Sequence, residues 1–174
     1  MDTSLALLGL LGRKSGYGYD LKHSYDEWFG RRKPLAFGQV YAILARLLRD
    51  GLIATVGAEA GAGPTRKRYE ITEAGRARIA EWISTPDAPA NSQHSNLFAK
   101  TIIALMLGDD AERLLDLQRA EHMARMRELT KARQHASLKN VLMIDHALFH
   151  IEADLRWIDL TSSRIGELRD EVLP

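Results

Sequence analysis

Between Phe37 and Gly75 the apolar side chains change period twice, and few arrangements satisfy both changes. Val40, Ile43, Leu44, Leu47 and Leu48 recur at the three- and four-residue steps of a helix with one buried face. Gly51 stands where a helix C-terminal glycine belongs. Leu52–Val56 is short and β-prone, and Thr65–Ile71 alternates, with Tyr69 and Ile71 on one face and Arg68 and Glu70 on the other. The Gly57–Pro64 stretch between them is rich in glycine and alanine and too long for a tight turn. Thr72-Glu73-Ala74-Gly75 then opens a further helix, with Thr72 as N-cap, that runs to about Ile83.

Two more helices precede this block. Leu5, Leu7, Leu8, Leu10 and Leu11 predict a helix over Ser4–Gly12, with Thr3 or Ser4 as its cap. After a turn at Arg13–Gly16, Leu21, Tyr25 and Trp28 share one face of a helix over Tyr19–Phe29, and Gly30–Pro34 ends it. Helix, helix, helix, hairpin, helix within ~80 residues is the winged-helix order, in which the third helix enters the DNA major groove and the hairpin forms the wing. Pro86, Pro89, Asn91 and Ser92 then make Ser84–Ser95 the clearest linker. Beyond it, helices are expected over Asn96–Leu107, Ala111–His135, and Leu138–Leu168 or further. The fold class is therefore mainly α: an N-terminal winged helix-turn-helix with a two-stranded β wing (1–85), a linker (86–95) and a C-terminal helical dimerisation domain (96–174).

Composition adds limits. Of 174 residues, 45% are hydrophobic and 27% charged, ordinary values for a soluble domain. Cysteine is absent, which removes disulfides, thiolate metal sites and cysteine nucleophiles. No apolar run approaches the ~18 residues of a membrane span, and Leu5–Leu11 lacks a basic lead-in, so neither a membrane partner nor a secretory signal is expected. A cytoplasmic location fits both. Residues 1–85 hold 13 Lys and Arg against 9 Asp and Glu, whereas residues 86–174 hold 11 against 14. Only the front half is suited to a polyanion.

Two cationic clusters flank the third helix. Arg31-Arg32-Lys33 precedes it, and Arg66-Lys67-Arg68 lies on the second wing strand. Such clusters give affinity and salt sensitivity rather than sequence choice, and each alone could be a solvated face. Gln39 and Tyr41 near the helix start can donate to base edges or phosphates, and the helix N-terminal amides suit a phosphate oxygen. Arg46 and Arg49 could be solvated or paired with Asp50.

Several stretches together resemble the PadR-type transcriptional regulators. Gly18-Tyr19-Asp20-Leu21 is similar to the element that opens the family's second helix. Gly38-Gln39-Val40-Tyr41-Ala42-Ile43-Leu44-Ala45-Arg46-Leu47, with Asp50-Gly51-Leu52-Ile53, resembles its recognition helix and first wing strand. Arg66-Lys67-Arg68-Tyr69-Glu70-Ile71-Thr72-Glu73-Ala74-Gly75 resembles its second wing strand and next helix. The chain departs from the pattern at Ala42, where the family often has proline, and in its long wing tip. The resemblance implies a sequence-specific homodimeric regulator of double-stranded operator DNA, usually a repressor, often relieved by a small hydrophobic or aromatic effector. It implies that Gln39, Tyr41 and Arg46 face DNA, with Tyr19 near a phosphate and Arg66, Lys67 and Arg68 on the wing; Arg32 and Lys33 join the expected DNA contacts as the cations before the helix.

In the last helix Val141, Ile144, Leu148, Ile151, Leu155 and Ile158 alternate at three and four, a heptad seam. It could pack on its own chain alone, or also on a second copy, which makes Ile144, Leu148, Ile151, Leu155 and Ile158 the candidate dimer interface. Met143, Phe149 and Trp157 could line an apolar effector pocket between subunits, or be plain core. His146 and His150 stand at metal-chelating spacing, but Ala147 occupies the position of a catalytic glutamate, so a solvated or interface pair is the ordinary explanation. Neither a nucleophile elbow nor a phosphate loop is present, so no enzyme, metal or cofactor is expected. The alternative to a DNA-binding regulator is an effector-binding or protein-interaction module that ignores DNA.

Overall fold

The computed structural model describes residues 2–30, 34–59, 66–88 and 94–173. The chain divides into two compact units, Asp2–Ile83 and, with Met1, Ser84–Pro174.

The first unit is built around α1 (Thr3–Arg13). Seven of its eleven residues are buried, Leu5 through Leu11 without a break, so this helix is apolar on every side along its centre. Its cap is Asp2 rather than the Thr3 or Ser4 expected from sequence: the Asp2 carboxylate accepts from the backbone N–H groups of Ser4 at 3.0 Å and Leu5 at 3.1 Å. Around α1 pack α2 (Gly18–Trp28), through Leu21 and Tyr25, and α3 (Phe37–Arg49), through Val40, Leu44 and Leu47.

The wing strands are β2 (Ile53–Glu59) and β3 (Arg66–Ile71), antiparallel, with Ile53 opposite Ile71 and Thr55 opposite Tyr69. A third strand, β1 (Gly16–Tyr17), pairs with the other edge of β3, so the sheet order is β1-β3-β2. A two-residue strand has no period to read, which is why the sequence reading gives a hairpin alone. Next, α4 (Glu73–Ser84) starts as expected at Thr72, whose hydroxyl accepts from the Gly75 N–H at 3.1 Å and donates to the Gly51 carbonyl at 2.8 Å. Gly75 is required there: a Cβ would lie 2.1 Å from the Leu52 carbonyl oxygen.

In the second unit, α5 (His94–Leu107), α6 (Ala111–Arg133), α7 (Leu138–Ser163) and α8 (Ile165–Val172) follow in order. Arg133 pairs with Asp145, His122 with Asp154 and Arg119 with Asp159. Numbers fall on α6 as they rise on α7, so the two helices run antiparallel. The single long last helix expected from sequence is instead broken at Arg164. Thr161, Ser162 and Ser163 are weak helix formers, the Ser163 hydroxyl donates back to the Leu160 carbonyl at 2.8 Å, and the Arg164 N–H turns to Thr161 at 3.1 Å. The resulting α8 returns toward α6, where Arg169 meets Glu112 at 3.0 Å.

Candidate nucleic-acid interface

Asp26, near the end of α2, fastens the segment that leads into α3. Its carboxylate accepts from the Leu35 N–H at 2.9 Å and pairs with the Lys22 ammonium at 2.6 Å. The Gly30 N–H meanwhile donates to the carbonyls of Tyr25 and Asp26. The Asp26 carboxyl lies below its usual value of 3.8; burial pushes it up, and this is outweighed by the bonded Lys22, the Leu35 N–H and the charges of Lys22 and His23. A depressed folded value means that the carboxylate stabilises the fold fully above the unfolded pKa, and that this stability is lost as pH falls through the folded value. Asp26→Asn should therefore lower the urea midpoint at neutral pH, and the gap to the parent should close in acid. A gap that widened with acid would contradict this role.

Arg32 and Lys33 lie outside the described residues. Gln39 is exposed, and its side-chain carbonyl accepts from the Ala36 N–H at 3.2 Å. This is the returning half of a capping box, since Ala36 has no side-chain acceptor. The Gln39 amide nitrogen is the donor end of the same group. Tyr41 is 49% exposed and crosses Gly18, where a Cβ would lie 2.7 Å from Tyr41 Cε1. Tyr19 is 57% exposed at the start of α2. Arg46 is exposed and donates to Ser4 Oγ at 2.7 Å, which holds its guanidinium toward α1. Lys67 and Arg68 are exposed on β3, and Arg68 donates to Ser15 Oγ at 2.9 Å, tying the wing to the turn before β1. The backbone of Arg66 stands opposite that of Glu59 in the sheet register.

Three residues not singled out from sequence complete this surface. Phe37, the first residue of α3, is 42% exposed and stacks on Tyr19, with ring centroids 5.7 Å apart and planes within 11°. The His23 ring lies 4.3 Å from that of Tyr19, and the Lys22 ammonium 5.3 Å from the Phe37 centroid. The signal was available: an aromatic one step ahead of a glycine, at the mouth of a helix whose buried stripe already closes without it. The outward face of α3 is otherwise small in its middle, with Gly38, Ala42 and Ala45 exposed and nothing within 4 Å of a Cβ built on Gly38. A helix with this face can approach another surface closely, rimmed by aromatic rings on one side and by Gln39 and Arg46 on the other.

In the second unit, Ile151 and Ile158 are buried by their own chain, while Ile144, Leu148 and Leu155 are half-buried. Ile158 packs with Leu97 and Leu115, and Trp157 rests against that cluster. Met143 and Phe149 are exposed, about 120° apart around α7. His146 and His150 bring their Nε2 atoms to 3.3 Å. Among the described residues no group of three or more histidine or carboxylate side chains could hold a metal ion. Nor, among them, is any helix long and apolar enough to cross a membrane.

Residues 7–81 match the model of the Transcriptional regulator PadR-like family. The match falls wholly within the first unit, which is thus a PadR-type domain, and the family is one of transcription regulators, not enzymes. Bacillus subtilis PadR in complex with operator DNA is 20% identical over 95% of this chain and 99% of that one, with a TM-score of 0.48. The smu.1604c protein from Streptococcus mutans UA159 is 18% identical over 94% and 99%, at 0.44. The PadR-like transcriptional regulator BC1756 from Bacillus cereus is 20% identical over 97% and 96%, at 0.41. A search of the curated proteins returns no match.

Proposed function

We propose that this chain, with its PadR-type first unit, is a homodimeric DNA-binding repressor: residues 1–85 bind operator DNA and residues 96–174 dimerise. The observation that carries the reading is the outward face of α3, small in the middle and rimmed by donors and aromatic rings, beside the cationic strand β3. A helix of this shape suits the floor of a major groove, and exposed Lys67 and Arg68 suit phosphates. A two-fold dimer prefers an inverted repeat, with half-sites ~34 Å apart or a multiple of it. Repression by occupying the operator, and its relief by a small apolar effector, belong to the same reading. Footprinting on DNA recovered by selection from random duplexes tests it. A protected inverted repeat supports the reading, and Gln39→Ala should relax base preference within each half-site.

Dimerisation draws on a second apolar stripe of α7. Leu138, Leu142, Phe149 and Leu160 are all exposed and lie on one side of the helix, opposite buried Ile151 and Ile158. A second copy covering this stripe removes it from water. Leu142→Glu with Phe149→Glu should give a folded monomer in sedimentation, with DNA affinity reduced. Ile151→Glu should instead unfold the second unit, because it buries an unpaired charge. A folded dimer from the first variant would overturn this interface.

A further inference from the structure

We infer that α3 reads thymine through its 5-methyl group, with Phe37 as the reader; this rests on the DNA-binding reading above. The Phe37 ring is exposed yet held, by the stacked ring of Tyr19 at 5.7 Å and the Lys22 ammonium at 5.3 Å from its centroid. It is therefore presented at the mouth of α3 with little conformational freedom left to lose on contact. The remaining bases fit the same face poorly. Guanine is read in the major groove by a forked Arg or a Lys, and the arginines of α3, Arg46 beside Ser4 and Arg49 beside Asp50, stand nine and twelve residues along the helix from Phe37, away from its end of the face. Adenine needs both ends of an amide, and the Gln39 carbonyl is already taken by the Ala36 N–H. Cytosine needs an acid to accept from its amino group, and α3 from Phe37 to Arg49 contains none. Thymine offers a methyl group and an acceptor oxygen. Phe37 meets the first, and the amide nitrogen of Gln39, the donor end of that side chain, meets the second.

The test uses the full-length protein and duplexes selected from a randomised library. Each thymine of the enriched half-site is replaced in turn by deoxyuridine, which removes the methyl group and nothing else. At the thymine under Phe37, binding should weaken roughly three- to fivefold, the worth of one buried methyl. Phe37→Ala should bind the thymine and deoxyuridine duplexes alike there, and Phe37→Leu should keep part of the difference. The deoxyuridine comparison alters only the DNA, so it stands even if a variant folds badly. An enriched sequence indifferent to deoxyuridine at every position overturns this inference alone. A selection that enriches no sequence overturns it together with the reading on which it rests.

Discussion

Replacing Lys100 by methionine should destabilise the second unit by about 3 kcal/mol, the lower part of the range for breaking a buried ion pair. Lys100 is 1% exposed, and its ammonium lies 3.0 Å from the Asp87 carboxylate and 2.6 Å from the Thr85 carbonyl. The same carboxylate accepts from the Asn96 amide at 2.7 Å. The Gln118 side chain grips the Asp87 backbone from both ends, accepting from its N–H at 2.8 Å and donating to its carbonyl at 2.6 Å. These bonds fix the segment directly after α4 to α5 and α6. Methionine keeps the length of the lysine stem but leaves Asp87 with a charge its surroundings were arranged to balance. Because Asp87 is about one-fifth exposed, water can take up part of the loss, and the cost stays near the low end. Urea denaturation followed by far-ultraviolet circular dichroism checks the figure; a shift corresponding to less than about 1 kcal/mol would mean that the pair contributes no more than a surface one.

Replacing Arg66, Lys67 and Arg68 together by alanine should weaken what each protomer contributes to binding, on every DNA sequence, by roughly a hundredfold at physiological salt. Each cation that neutralises a phosphate releases counterions and contributes ~0.9 to the slope of log affinity against log salt. Three such contacts per protomer account for a slope change of up to about three, and extrapolation from molar salt gives about two orders of magnitude. Base preference should survive, since phosphate contacts set register and affinity rather than sequence. Arg68 has a further part, because its bond to Ser15 also holds β3 against the turn before β1. Restoring Arg68 alone should therefore recover more than one third of the lost slope. Titrations of the triple variant at several salt concentrations decide the matter. An unchanged slope would remove the wing from the interface.

Much of the first unit was legible in the chain because its signals are local. Of the stripe read on α3, Val40, Leu44 and Leu47 are buried, Ile43 is half-buried and Leu48 is exposed; Thr72 caps α4, and Gly51 has the positive φ of a helix C-terminus. What escaped reading depends on distant partners. The strand Gly16–Tyr17 exists because β3 has an edge to fill. The seam of α7 is buried by its own chain at Ile151 and Ile158 and half-buried at Ile144, Leu148 and Leu155, beside a second, exposed apolar stripe, and a period alone does not say which side a neighbour takes. Phe37 went unnoticed because an aromatic at a helix start is usually core, and only its stacking on Tyr19 reveals otherwise. The polar cluster of Asp87, Asn96, Lys100, Gln118 and His122 was also missed, although a lysine within the apolar run Leu97–Met106 must be paired to be buried there.

Fluorescence anisotropy shows whether this chain recognises DNA by sequence. Purified protein would be titrated against DNA from upstream of its own gene and against unrelated DNA, each at several salt concentrations. Tight binding to the first, selective over the second and steeply weakened by salt, is the expected result. No binding to either duplex at low salt would contradict it, and would turn α7 and its exposed stripe from a dimer interface into the protein's principal interaction surface.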